Sequence, residues 1–231
     1  MAREFEIRRE VELPGTPDDV WHAVSTEEGL AAWLFPIETD PSQVKVSEPP
    51  HRLVVRVEGP DGWFNQVEDV IEARSGSTTV LRYVHSGIFE DDWENQYDAA
   101  GQHTDFYLHT LGQYLGHFKG RPVTYIGGED PDGITGPSSF AALKRALGVD
   151  DDASVGDRVR FGPDDVEGEV DYAHPHFLGI RTADGLYRFF GRDAWGLPTG
   201  MSAHLFGEGV DRERAERAWA GWLKGLYGAH R

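Results

Sequence analysis

The chain has 231 residues, with 40 acidic against 22 basic residues and a formal net charge of −18. A surface of that sign repels phosphate backbones and anionic lipid, which argues against nucleic-acid and membrane partners and otherwise serves solubility. No cysteine is present, so disulfides and thiolate nucleophiles are excluded, while a hydrophobic fraction of 39% is enough for folded cores.

The acidity is uneven. Residues 1–120 carry 9 basic and 22 acidic side chains, or −13, and residues 121–231 carry 13 and 18, or −5. The stretch "MAREFEIRREVELPG" is charged and has no apolar h-region, so it does not read as a signal peptide. No apolar run reaches membrane-spanning length, and cytoplasm is the expected location.

"FEIRREVEL" alternates, with Phe5, Ile7, Arg9, Val11 and Leu13 on one face, which predicts a strand with one buried side. Arg9 breaks that face and is expected to reach a cavity or a carboxylate. In "GTPDDVWHAV", Thr16 suits an N-cap, Pro17 the first helical position, and Asp18 and Asp19 the positive helix end. "STEEGLAAWLF" predicts a second short helix ending near Trp33, stopped by Pro36. "QVKVSEPP", "HRLVVRVEG", "GWFNQVEDVIEA" and "STTVLRYVHSG" read as an antiparallel meander, with His85-Ser86-Gly87 ending its last strand. "YDAAGQHTDFYLHTLGQYLGHFKG" has helical spacing. Its stripe is Tyr107, Leu111, Tyr114 and Phe118, and Gly112 and Gly116 sit four apart on one face.

The rest repeats the plan: strand "PVTYIGG", helix "GPSSFAALKRALGV" with an N-cap at or near Ser138, five short strands from "GDRVRF" to "GMSAHLFG", and a closing helix "DRERAERAWAGWLKGLYGA". A domain boundary is expected near Lys119–Pro122 or in "GGEDPDGITGP". The expected organisation is therefore a domain over 1–120 and a second α+β lobe over 121–231, a repeat of pattern rather than of residues.

With the first half laid out, a likeness emerges. The order "TPDDVWHAVSTEEGLAAWLF", "VSEPPHRLVVRV", "STTVLRYVHSG" and a long aromatic helix resembles the Hsp90-ATPase-activator-like family. That family belongs to the START/Bet v 1-like helix-grip superfamily, known as SRPBCC. The likeness covers about residues 5–118. It implies an α+β fold in which a long C-terminal helix grips a curved antiparallel sheet with a cavity between them. The short region between Phe35 and Val44 departs from the pattern and implies a reduced or missing strand.

The chemistry visible in sequence is sparse. In the meander's last strand, alternation puts Leu81, Tyr83 and His85 on one face, and burial of unpaired Arg82 is disfavoured, so the former face the helix. His85 is then a pocket residue or an acid–base group. "FEDDW" reads as a solvated acidic loop in which Asp92 or Asn95 caps the next helix, with Phe89 and Trp93 placed to close a cavity mouth. Asp105 and His109 share a helix face as a surface pair. His174 and His176 form a His-x-His too short for a metal site, so no metal is expected. No phosphate-binding glycine loop, dinucleotide fingerprint or serine elbow occurs, so no cofactor is expected.

The leading expectation is a non-enzymatic one: a hydrophobic or aromatic small molecule bound between sheet and helix. The residues expected to line or plug the cavity are Trp33, Phe35, Trp63, Phe64, Tyr83, His85, Phe89, Trp93, Tyr107, Leu111 and Tyr114. One alternative is a cyclase- or dehydratase-type enzyme using His85 with Tyr83, Asp105 or Arg9. Another is a chaperone- or stress-linked interaction module. A homodimer is left open.

Overall fold

The computed structural model describes residues 2–129, 138–149 and 153–228. The chain divides into two compact units, Met1–Gly120 and Arg121–Arg231. Most of the expected Gly/Asp/Pro-rich boundary segment after the second unit's first strand lies outside the described residues.

The first unit runs β1 (Arg3–Pro14), α1 (Pro17–Ser25), α2 (Glu27–Ala31), β2 (Val44–Glu48), β3 (Arg52–Glu58), β4 (Phe64–Ala73), β5 (Thr78–Phe89) and α3 (Trp93–His117). The five strands form one antiparallel sheet in the order β1-β5-β4-β3-β2. Alternation sorts its two faces. Phe5, Ile7, Leu13, Ile71 and Leu81 are buried on the inner one. On the outer face Arg82 bonds Glu10 and Glu72, and Arg52 pairs with Glu68. Thr16 accepts from the Asp19 amide while the Asp19 carboxylate accepts from the Thr16 amide, a reciprocal cap that starts α1 where the sequence places it.

Two local details differ from expectation. β5 does not stop at His85-Ser86-Gly87 but continues to Phe89, because Ser86 and Gly87 stay in register with Glu6 and Phe5 of β1. Gly87 is required there for space: a Cβ would stand 2.7 Å from the Phe64 carbonyl oxygen and 2.9 Å from the Phe5 ring. Asp92 occupies the N-cap position of α3, yet its side chain makes no capping bond. Its backbone is left-handed at φ 44°, ψ 50°, whereas a capping side chain needs the extended region to reach the first turn.

α3 packs mainly along β1. The Trp93 indole donates to the Glu4 carbonyl at 3.0 Å, the Tyr97 hydroxyl donates to that of Glu6 at 3.3 Å, and Gly112 and Gly116 face Leu13 and Pro14. A Cβ at either glycine would meet only ordinary contact, so close approach is helped by these glycines without depending on them. Because the helix hugs one side of the sheet, α1 takes over against β4 and β5.

The second unit runs β6 (Val123–Glu129), α4 (Ser139–Ala146), β7 (Arg158–Phe161), β8 (Val166–Ala173), β9 (Phe177–Arg181), β10 (Gly185–Phe190), β11 (Gly200–Phe206) and α5 (Arg212–Gly228). Its sheet order, β6-β11-β10-β9-β8-β7, follows the same rule as the first. In each unit the opening strand pairs with the last one, the remaining strands run back as a meander, and a long helix closes the chain segment. Both are helix-grip α+β folds.

The second unit's core beneath α5 is a cluster of buried aromatic and aliphatic side chains. Trp219 packs against Phe161, Tyr187 and Phe189 with ring centroids 6.3, 5.7 and 5.9 Å away. On β10 the fully buried Arg188 makes two 2.8 Å bonds to Asp171 of β8 across Gly179, where a Cβ would collide with both side chains. Among the described residues, no helix is long and apolar enough to cross a membrane.

Candidate functional site

The inner face of the first sheet carries a short polar row between apolar ones. Arg9 on β1 stands opposite Tyr83 on β5, Tyr83 opposite Asp69 on β4, and Asp69 opposite Leu53 on β3. Each interrupts an apolar alternation: Ile7-Arg9-Val11, Leu81-Tyr83 and Val67-Asp69-Ile71. Arg9 is satisfied from above, its guanidinium gripping the Asp105 carboxylate of α3 through Nε and, at 3.0 Å, Nη2. Asp105 therefore pairs across the fold with Arg9.

Among the described residues, Asp69 has no such counterion. It is only 5% exposed, and its Oδ1 has no hydrogen-bond partner among the described residues. Burial, reinforced by the neighbouring Glu68 charge, pushes its carboxyl up to about 7. Burial and the adjacent Asp69 likewise push the Tyr83 phenol up, against an interaction with the Thr104 side chain that pulls the other way.

Asp69 and Tyr83 lie in the wall of a cavity of about 350 Å³. Leu53, Val55, Val67 and Leu81 form its floor on the sheet, Thr104, Tyr107 and Leu108 its wall on α3, and Val24, Ser25 and Leu30 its wall on α1 and α2. Trp33, Leu34 and Ile37 through Val44, except Ser42, complete the lining. This last segment is tied down at its exposed rim. Glu27 accepts from the Thr39 amide and hydroxyl, and Asp40 accepts from the Ser42 amide. Trp33 is fixed by its indole, which donates to the Ala23 carbonyl at 2.9 Å.

Of the residues singled out in sequence, Trp33, Tyr83 and Tyr107 come together in this lining. Phe35 is exposed beside it, its ring edge-on to Tyr107 with centroids 6.3 Å apart. The others lie elsewhere. Phe89 stacks on Phe5 at 3.9 Å, and His85 meets Phe5 edge-on at 4.9 Å and bonds Asn65 through Nε2 at 3.2 Å. This aromatic plug fills one end of the inner face, and burial holds the His85 imidazole below its usual pKa. Trp63 donates to the Ile88 carbonyl, and Phe64 sits on the outer face under the Arg56 guanidinium. Trp93 stacks on Tyr97 beneath Arg3, fastening α3 to β1 rather than covering the cavity mouth. Leu111 and Tyr114 are buried farther along α3. Among the described residues, no group of three or more His, Asp or Glu is placed to hold a metal ion, and His174 and His176 sit in the β8–β9 turn against Phe177 and Trp195.

Sequence reasoning missed Asp69. Its signal was present in "FNQVEDVIEA", where it falls in phase with Asn65, Val67 and Ile71, just as Arg9 falls in phase with its apolar neighbours.

No family model matches the chain, and no curated protein matches its sequence. Solved structures resemble it in shape. Protein MLL2253 from Mesorhizobium loti is 18% identical with a TM-score of 0.43, covering 49% of this chain and 98% of its own. DynU16, from the dynemicin biosynthetic locus, is 18% identical with a TM-score of 0.39 and covers 97% of both chains. The Aha1 dimer from Colwellia psychrerythraea is 16% identical with a TM-score of 0.41, covering 50% of this chain and 99% of its own.

Proposed function

We propose that the first unit binds a hydrophobic small molecule in the cavity between its sheet and α3. The observation that carries this reading is the lining itself: a mostly apolar hollow whose deep wall holds one carboxyl with an unpartnered oxygen. A cavity of about 350 Å³ lies in the range of small-ligand sites, which are largely apolar with a few fixed polar groups. A buried polar atom without a partner costs stability, and a ligand that supplies one offsets the cost. Trp33, Tyr83 and Tyr107 are the aromatic contacts, and Asp69 is the polar anchor.

The motif order over residues 5–118 supports placing this unit among the Hsp90-ATPase-activator-like proteins, and the aromatic packing around Trp219 under α5 supports a scaffold role for a divergent second lobe. An acid–base role for His85 gains nothing from the geometry, because its ring is held by Asn65 and Phe5 outside the cavity lining.

Thermal-shift screening of the full chain against a library of apolar and aromatic compounds tests the proposal, since a ligand that binds only the folded state raises the melting temperature. Hits on the wild-type protein that vanish in Val67→Phe, which fills the floor, are the expected result. A flat response across the library, or hits that survive in Val67→Phe, would overturn it.

A further inference from the structure

Resting on that reading, we infer that the cavity is selective for cationic ligands: an apolar or aromatic body carrying a protonated amine, with Asp69 as the buried counterion. The sign of the lining decides this. Its charged side chains are Glu38, Asp40 and Asp69, and no lysine or arginine is among them. Glu38 and Asp40 are exposed at the rim, whereas Asp69 is buried at depth, so the negative potential runs from mouth to floor. The basic group in the same inner-face row, Arg9, is one strand beyond Tyr83 and already held by Asp105. An anionic ligand would meet like charge at both ends of the cavity, with nothing to offset its desolvation.

The remaining polar groups fit the same guest. Beside Asp69, β5 offers the Tyr83 phenol and α3 offers Thr104 and Tyr107, while β3 presents only Leu53 and Val55. None of these brings positive charge. An ammonium donates up to three hydrogen bonds, so it satisfies the orphaned Asp69 Oδ1 and still has donors for neighbouring oxygens. The π-faces of Trp33, Tyr83 and Tyr107 in the same lining attract a cation and repel an anion. A charge-assisted hydrogen bond is the stronger kind, which separates an amine from a neutral alcohol of the same shape.

The test uses three probes with one apolar cage and different head groups: 1-adamantylamine, 1-adamantanol and 1-adamantanecarboxylate, titrated calorimetrically into the full chain at pH 8. The expected order is amine tighter than alcohol by tenfold or more, with no measurable heat from the carboxylate. Asp69→Asn should lower amine affinity at least tenfold and bring it level with the alcohol. A second measurement on the unaltered protein covers the case in which that variant does not fold. Entry of the ammonium drives the proton from Asp69, so amine affinity should fall about tenfold between pH 8 and pH 6, and alcohol affinity should not. Alcohol binding equal to or tighter than amine binding, or an amine affinity that ignores both pH and Asp69, overturns the selectivity while leaving the cavity reading intact. Binding of none of the three overturns both.

Discussion

Replacing Asp69 by Asn gives the sharpest quantitative handle on this protein. The folded carboxyl titrates at about 7 against a reference of 3.8. Below pH 3.8 both folded and unfolded chains hold the proton, and the shift has no effect on stability. Between 3.8 and about 7 the unfolded chain has released its proton while the folded chain keeps it, so wild-type stability falls as pH rises. Each pH unit in that window removes about 1.4 kcal/mol, and the full displacement amounts to roughly 4 kcal/mol once both states are ionised above pH 7. Asparagine has nearly the shape of the protonated acid and does not titrate. Asp69→Asn should therefore gain on the wild type by roughly 2–3 kcal/mol between pH 5 and pH 8. Groups that do not interact with Asp69, His85 among them, cancel in that difference. The assay is urea unfolding of the full chain at half-unit pH steps, read by amide exchange protection of β4 and β5 so that the first unit is followed directly. A difference between variant and wild type that stays level from pH 5 to pH 8 would refute the claim that Asp69 is buried without a counterion.

Other consequences are open to measurement. Val67→Phe inserts a ring into the cavity floor without displacing packed neighbours, so urea midpoints should hold or rise while thermal shifts by apolar compounds disappear. Arg188→Met removes the buried cation that pairs with Asp171 and should cost the second unit about 3–5 kcal/mol, read by denaturant titration; adding Asp171→Leu should recover most of the loss. Trp219→Ala opens the packed centre beneath α5 and should cost about 3–5 kcal/mol by the same assay, with exchange protection lost across β7–β11. Thr16→Ala removes the reciprocal cap of α1 and should lower the first unit's stability by about 1 kcal/mol.

The elements of both units were legible in the order of residues because they rest on local rules. Alternation in "FEIRREVEL" and "STTVLRYVHSG", the Thr16-Pro17 start of α1, and the aromatic spacing of α3 and α5 each commit a segment to strand or helix over a few residues. Alternation also assigned Tyr83 and His85 to the inner face and sent Arg82 outward, where Glu10 and Glu72 meet it.

Which inner-face residues surround one volume was decided only in three dimensions. The sequence places Tyr83 and His85 on a common strand face and Phe89 in the loop beyond, yet β5 runs on to Phe89, and the Phe5 contacts turn His85 and Phe89 into a plug and leave Tyr83 to the cavity. Trp93 reads as a lid until α3 lies against β1 and takes its indole to the Glu4 carbonyl. Asp69 looks like one more acid in an acidic half until β3, β5 and α3 close around it and withhold a counterion. Period and propensity act between neighbours along the chain, whereas desolvation depends on which distant side chains arrive, and that is why the strands, and the break in alternation at Asp69, stand in a line of letters while the burial of its carboxyl does not.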